Sequence, residues 1–415
     1  MSFSYFISKR IYKYTDGKKS FSRPASRIAI SGVAIGVSVM IISLCVSIGF
    51  KKEVCSKIIG FGSHIQILSL TYNNNYEIQP LISSDSLYDE IKRIGGVKDI
   101  SEYANRMGML KNEENFTALT FKGISQEYDL TFYKDHLLHG KIPDFSDEKA
   151  SNSIIISKAT ASDMNLSIND KVYAYFISDN SLRARQFTIK GIFETNLSDY
   201  DKTIAITDIY TIRKLNKWDK NYASGFEIKL VDFHQVEQVN NKITQLLKHK
   251  TDVNGTVYSS FTIKELAPAM FGWLGVLDMN LIIILVLMIF VSSFTVISGL
   301  LIIMLERTNM IGVLKALGAN NYIIRTVFIK YSLLIIVRGL IIGNIIGFSV
   351  SYIQKKMNIF KLDPTVYYID CVPIDFNWIL ILFINISCLF ITLIIVTIAS
   401  HFVSLKKPIK TIDFN

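Results

Sequence analysis

Apolar positions fall into two regimes along the chain. In four stretches, residues 28–50, 273–305, 323–352 and 378–402, apolar side chains occupy nearly every face of a helix. Each is long enough to cross a hydrocarbon core of about 30 Å at about 1.5 Å per residue. The run "LIIILVLMIFVSSFTVISGLLIIML" carries no charge on any face, which suits lipid and not a half-buried helix of a soluble core. Residues 51–272 are instead polar and well mixed in charge, with short alternating runs. Here "HIQILSL" predicts a strand, "SSDSLYDEIKRIG" a Ser- or Asp-capped amphipathic helix and "VKDISEYANRMGMLK" a second strand. The same order returns in "ASGFEIKLV", "FHQVEQVNNKITQLLK" and "GTVYSSFTI". These β-α-β units bracket a strand-rich insertion at about residues 115–218, with strands at "NFTALTFKGI", "SIIIS", "DKVYAYFI", "RQFTIKGIF" and "TIAIT". The expected fold class is an integral membrane α-helical protein with four transmembrane helices and a large α+β extracytoplasmic domain.

A third pattern interrupts the apolar regime. Between the second and third spans stands "ERTNMIGVLKALGAN", residues 306–320. Thr308 or Asn309 can cap a helix start, and Gly318 can take the left-handed conformation that ends one. Met310, Val313, Leu314 and Leu317 recur at helical spacing while Lys315 lies off that stripe, which predicts an amphipathic helix of about two turns. Residues 353–377 form the remaining outer loop.

Charge orients these segments. Lys9, Arg10, Lys13, Lys18, Lys19, Arg23 and Arg27 precede the first span against the single acid Asp16, and Lys406, Lys407 and Lys410 follow the last. Segments 1–27 and 403–415 are therefore expected in the cytoplasm, as is 306–322, with 51–272 and 353–377 outside. The net charge of +10 owes much to these flanks and signals topology and anionic lipid rather than nucleic acid. No signal peptide is evident, because the first apolar run is long and lies well inside the chain. Cys55 and Cys371 would lie just outside the membrane, Cys45 and Cys388 within it, and spacing does not decide whether the outer two are bridged. His136 and His139 make no metal pattern. "DGKKS" ends like a phosphate-binding loop, but Tyr12 stands where its first glycine belongs. No nucleophile–base or carboxylate pair stands at a diagnostic spacing, and the chain does not bind ATP by that motif.

At this point the chain resembles a known family. "RIAISGVAIGVSVMIISLCVSIGFKKEV", "SIIISKATASDMNLSINDKVYAYF", "RQFTIKGIFETNLSDYDKTIAI", "VSSFTVISGLLIIMLERTNMIGVLKALGANNYIIRTVFI" and the tail "SLKKPIKTIDF" are similar to runs of the lipoprotein-releasing permeases (LolC/LolE), within the MacB-like and FtsX-like permeases. The likeness spans nearly the whole chain. It implies a MacB-like porter domain with an insertion and a location in the bacterial inner membrane. It also implies a separate ABC ATPase that holds ATP and Mg, a second permease copy or paralogue, lipoprotein cargo and membrane lipid. A periplasmic lipoprotein carrier belongs to the same system. The proline-containing hook of the carrier-recruiting member has only "SDNSLRA", residues 178–184, in its place here, which puts direct carrier docking in doubt.

The resemblance also assigns roles. Residues 306–320 take the place of the helix that seats in the ATPase, with Met310, Ile311, Leu314 and Leu317 as apolar anchors, Glu306, Arg307 and Lys315 as charges, and Gly318 as the turn. Phe50, Phe271, Trp273 and Leu274, with Phe61 nearby, gather at the expected outer boundary, either as an aromatic belt or as the entrance for a lipid-modified substrate. Gly32 and Gly36, and Gly339, Gly343 and Gly347, recur every four residues, a spacing that lets helices approach closely. Arg338 and Asn344 lie well inside the third span, where a charge implies a cavity or a partner. The expected function is that of the permease subunit of an ATP-driven transporter releasing lipoproteins from the outer leaflet of the inner membrane. A MacB-type drug or peptide exporter and an FtsX-like regulator of cell-wall hydrolases are the rivals.

Overall fold

The computed structural model describes residues 6–8, 22–69, 79–83, 85–112, 115–178, 181–248, 250–252 and 254–404. Lys9, Arg10, Lys13, Asp16, Lys18, Lys19, Lys406, Lys407 and Lys410 lie outside the described residues, as do Asp179 and Asn180 of the short hook segment. The chain divides into two compact units, a helical one of Met1–Lys52, Trp273–Lys361 and Cys371–Asn415, and a sheet domain of Glu53–Gly272 with Leu362–Asp370.

In chain order the principal elements are α1 (Ser22–Gly62), β1 (Ile65–Ser69), β2 (Leu81–Ile82), α2 (Asp85–Lys92), β3 (Val97–Lys111) and β4 (Phe116–Ile124). Then come β5 (Leu137–Gly140), β6 (Ser153–Ser157), α3 (Lys158–Asp163), β7 (Lys171–Ser178), β8 (Ser181–Phe193), β9 (Ile204–Asp208) and α4 (Ile209–Asn216). The domain ends with β10 (Tyr222–Ala223), β11 (Gly225–Leu230), α5 (Val236–Leu247) and β12 (Tyr258–Thr262). Four further helices follow, α6 (Pro268–Glu306), α7 (Thr308–Ala316), α8 (Asn321–Met357) and α9 (Trp378–Ser404). Helices α1, α6, α8 and α9 are long and apolar enough to cross a membrane. All four extend past their apolar stretches. In particular, α1 continues to Gly62 through "KKEVCSKIIGFG", where Val54, Cys55, Ile58 and Phe61 recur at helical spacing and are buried.

The helical unit is built on α1. Its Ala29, Val33, Val37, Met40 and Ile41 share one core with Val296, Leu300 and Ile303 of α6, Val327, Phe328, Tyr331 and Ile335 of α8, and Ile381, Ile384 and Cys388 of α9. The glycines sit at the tightest crossings. A Cβ on Gly339 would lie 2.6 Å from Val33 Cβ, and one on Gly343 2.7 Å from the Ala34 carbonyl. On the other side of α1, a Cβ on Gly32 would meet the Thr295 methyl at 2.4 Å and one on Gly36 the Ser292 hydroxyl at 2.1 Å. Small side chains here let the helix backbones close up, which is how packing is gained where lipid supplies little hydrophobic drive.

The sheet domain has one ten-stranded sheet in which β3 serves two bodies. Its first half pairs with β11 at Tyr103↔Gly225 through Val97↔Leu230, beside β1 and β12, and α2 and α5 cover this porter layer. Its second half pairs with β4, and then β9, β6, β8 and β7 follow in turn. Strand β7 returns to β3 at Met109↔Tyr175, Leu110↔Ala174 and Lys111↔Tyr173. The insertion is thereby a closed ring of six strands, β3, β4, β9, β6, β8 and β7, with the short β5 paired to β8 outside it. Phe121, Phe176 and Phe187 fill it, with ring centroids 5.0 and 5.6 Å from Phe121, and Gly108 leaves room for Phe176, whose ring edge would meet a Cβ at 2.5 Å. Every strand run expected from the sequence is present. Strands β2, β5 and β10 and the closure of the ring were not anticipated. All four cysteines are free thiols.

Candidate functional site: the short helix and the faces of the bundle

The run 306–320 folds as a short helix, but not with the expected cap. Arg307 occupies the cap position of α7 and makes no side-chain capping bond, while the Thr308 hydroxyl donates back to the Leu305 carbonyl at 2.6 Å. A helix that restarts one residue after α6 ends has that carbonyl close by, so the hydroxyl turns to it. The C-terminal end is as expected. Gly318 has φ +88°, its N–H donates to the Lys315 carbonyl, and Ala319 N–H donates to the Leu314 carbonyl at 2.9 Å. Two carbonyls left over by the helix end are satisfied this way, and a side chain at Gly318 would be strained.

The apolar stripe of α7 is divided between two faces. Met310 and Ile311 pack against the bundle core. Val313 is 60% exposed and Leu317 79% exposed, with Glu306 and Leu305 also open, while Leu314 and Lys315 are partly covered. Of the anchors named from the sequence, Met310 and Ile311 lean on the bundle, Leu314 is partly covered and Leu317 is open. The first two hold α7 to its own bundle, because a nine-residue helix needs tertiary contacts to persist. Val313 and Leu317 form the free apolar surface.

At the opposite end of the spans, Phe50 and Trp273 meet edge to face at 5.5 Å, and Phe50 is 8% and Leu274 1% exposed. Phe271 belongs to the sheet domain, where it stacks on Phe233 at 6.1 Å. Phe61 is not part of a boundary belt. It is buried in an aromatic cluster of the sheet domain. Nearby, Lys51 Nζ lies 2.5 Å from Asp278 Oδ2, and Lys52 Nζ 2.8 Å from Asp375 Oδ2.

Within the bundle the sequence singled out Arg338 and Asn344 together, and their surroundings separate them. Arg338 is on the exposed face of α8. Asn344 forms a reciprocal amide pair with Asn385 of α9, at 2.7 Å in one direction and 3.0 Å in the other. Each amide also donates to the carbonyl four residues back, Leu340 and Ile381. Asn385 was missed because only the packing of α8 on α9 brings the two amides together. An outward face of α6 remains uncovered, where Ile282, Val286, Leu287, Phe290 and Phe294 line an open apolar groove. Among the described residues no group of His, Cys, Asp and Glu converges as a metal site would.

The family model for the MacB-like periplasmic core domain matches residues 26–246. The chain belongs to this family. Residues 282–408 match the FtsX-like permease C-terminal family, so the MacB-like protein carries both parts on one chain. It is similar to the lipoprotein-releasing system transmembrane protein LolC of Buchnera aphidicola subsp. Schizaphis graminum, with 26% identity over 94% of this chain and 93% of that protein. It is also similar to the lipoprotein-releasing system transmembrane protein LolE of Haemophilus influenzae, with 22% identity over 95% of each. The macrolide export ATP-binding/permease protein MacB of Bdellovibrio bacteriovorus is 21% identical over 80% of this chain but only 52% of that protein.

Proposed function

We propose that this MacB-like protein is the permease subunit of an ATP-driven transporter that releases lipoproteins from the outer leaflet of the inner membrane for transfer to the outer membrane. The observation that carries the reading is two-sided coverage. The matches to the LolC and LolE relatives leave little of either chain over. In this reading both termini and α7 face the cytoplasm, and the sheet domain faces the periplasm. The chain performs no catalysis and binds no cofactor of its own. ATP and Mg belong to a separate ATPase, which receives Val313 and Leu317 of α7, flanked by Glu306, Arg307 and Lys315. A second permease copy or paralogue completes the transporter, and a periplasmic carrier accepts the cargo.

An acyl chain gains about 0.8 kcal/mol per CH₂ buried in hydrocarbon, so extracting an anchor of several chains costs tens of kcal/mol. Such a cost calls for ATP and for an apolar surface that shares the load. Phe50, Trp273 and Leu274 are the proposed entrance, and since Phe50 and Leu274 are covered here, it opens when the outer ends of α1 and α6 part. Arg338, on an exposed face of a membrane-spanning helix, is proposed to meet the second permease or a lipid headgroup.

The test is reconstitution of the complex purified from native membranes, with release of a lipoprotein to a soluble acceptor as the readout. ATP-dependent release is expected, and Leu317→Glu abolishes it without loss of the folded chain, because a charge at an exposed site disturbs the docked ATPase alone. An ATPase-active complex that releases no lipoprotein would return weight to the FtsX-like regulator, which the match over residues 282–408 equally suits.

A further inference from the structure

Helix α1 runs unbroken from Ser22 and ends inside the sheet domain in a joint built from three interlocking parts. The first is steric. The Phe61 ring stacks on Tyr200 at 5.0 Å and meets Phe132 edge to face at 5.2 Å, with Tyr133 and Phe193 closing the socket at 6.3 Å. Gly60 admits it, since a Cβ there would lie 2.2 Å from the Phe132 ring. The second is electrostatic. Lys122 of β4 points away from the interior of the strand ring and donates to the Phe61 carbonyl at 2.8 Å, so a cation meets the negative end of the helix dipole. Its ammonium also lies 2.6 Å from Glu227 of β11, whose other oxygen accepts from Tyr128 at 2.6 Å, and Lys122 and Glu227 are both almost wholly buried. The third is a strap. Lys57, one turn before Phe61 and buried, donates to the Tyr368 carbonyl in the segment Leu362–Asp370, which Asp370 ties to Asn196 at 2.8 Å.

A single lysine thus joins the helix end to the strand ring through β4 and to the porter layer through β11. A buried charge with this many partners is costly to assemble, and an apolar cluster would hold the same elements with less desolvation. What the ion pair adds is direction, because hydrogen bonds fix orientation where apolar contacts permit sliding. We infer that the last turn of α1 is a keyed joint that transmits movement to both halves of the sheet domain, with Phe61 and Lys122 as positioning residues of the transport cycle. This rests on the transport reading above.

The test uses the full-length chain in its native complex. Hydrogen exchange of the wild-type complex is compared between the nucleotide-free and ATP-trapped states. Amides of residues 57–62 and those of β4 and β11 around Lys122 and Glu227 are expected to change protection together. A change in 57–62 without β4 and β11, or no change in any of them, overturns the joint. In parallel, Phe61→Ala and the double variant Lys122→Met with Glu227→Leu are assayed. The double variant removes both buried charges and keeps an apolar filling, so it is expected to fold. Both are expected to hydrolyse ATP at the wild-type basal rate and to release at least tenfold less lipoprotein per ATP. Normal release by either variant in folded form makes the node merely structural and overturns the inference. If both variants misfold, the wild-type exchange result decides alone. A wild-type complex whose joint responds to ATP but which releases no lipoprotein counts against the transport reading and leaves the joint standing.

Discussion

The two units bury polar side chains of different kinds. Among the described residues of the helical unit the buried polar set is neutral and includes Ser38, Ser292, Ser293, Ser332, Ser351, Gln354, Thr392 and Ser400. Their needs are met locally where bonds are present, as when the Ser293 hydroxyl donates to the Ile289 carbonyl at 2.8 Å. In the sheet domain the buried set includes Lys57, Lys122, Asp201, Asp208, Arg213 and Glu227. Arg213 donates to Glu102 at 2.7 Å and to the Tyr222 carbonyl at 2.7 Å, and Asp201 accepts from the Thr195 hydroxyl at 2.7 Å. The difference follows from the two solvents. A side chain buried between membrane helices has no water to leave and no easy route for a charge to enter, so neutrality and close shape are what remain. A domain that folds from water can bury ions when each partner is already placed. One unit is held by fit, the other is pinned by charge.

The largest effect comes from breaking the charge side of this comparison. Glu227→Leu leaves the Lys122 ammonium buried beside a carbonyl and a phenol, without its counterion. Burial already holds that ammonium below the usual lysine range against the pull of Glu227. A loss of about 3–5 kcal/mol is expected, read as lowered protease resistance and thermal transition of the sheet domain.

Next is the fit side. Gly343→Ala drives a methyl to 2.7 Å from the Ala34 carbonyl, which cannot rotate away, whereas Gly32→Ala meets the movable side chain of Thr295. The first is expected to cost about 2 kcal/mol and the second about 1 kcal/mol less, measured by thermal unfolding in detergent. Equal costs would show that spacing alone, and not the neighbour, sets the penalty.

A pH dependence confined to the sheet domain is smaller. His64 sits at the junction of α1 and β1, where its Nδ1 accepts from the Leu230 N–H at 3.3 Å. Burial first, and then Lys229, push its pKa down to about 4. The folded protein keeps the ring neutral while the unfolded chain protonates near pH 6.5, so stability falls as the pH drops from that value toward 4. Allowing for its partial exposure, about 1 kcal/mol should be lost between pH 7 and 5, and His64→Gln should remove that slope.

The smallest change sharpens the neutral pair. Asn385→Leu is expected to cost about 0.6 kcal/mol, and at most about 1.7, because Asn344 keeps its bond to the Leu340 carbonyl. The double variant Asn344→Leu with Asn385→Leu should lie close to wild type, since neither amide is then left over.

Much of this architecture was readable before folding was considered. The four spans, the strand runs of both β-α-β units and the left-handed turn at Gly318 follow from composition and local periodicity. The glycine spacing marked the side of α8 that meets α1. The candidate site was readable only in part. Periodicity grouped Met310 with Leu317 on α7, but it could not say that Met310 turns to the bundle and Leu317 to solvent, because one stripe can serve two neighbours. Aromatic character placed Phe61 with Phe50 and Trp273, and helix continuation took it into the sheet domain.

What the sequence alone determined is what each residue does with its own neighbours in the chain: whether a stretch prefers lipid or water, whether it repeats every two residues or every three to four, and where a glycine permits a turn. Tertiary structure decided everything that needs a partner distant in sequence. Strand β7 closes the ring on β3 although some sixty residues separate them, Asn385 answers Asn344, and Lys122 finds Glu227 and the carbonyl of Phe61. A single lysine in a strand that alternates in and out looks like any solvated position. Only when a helix end and a second strand arrive over it does it become a buried ion whose energy depends on all three.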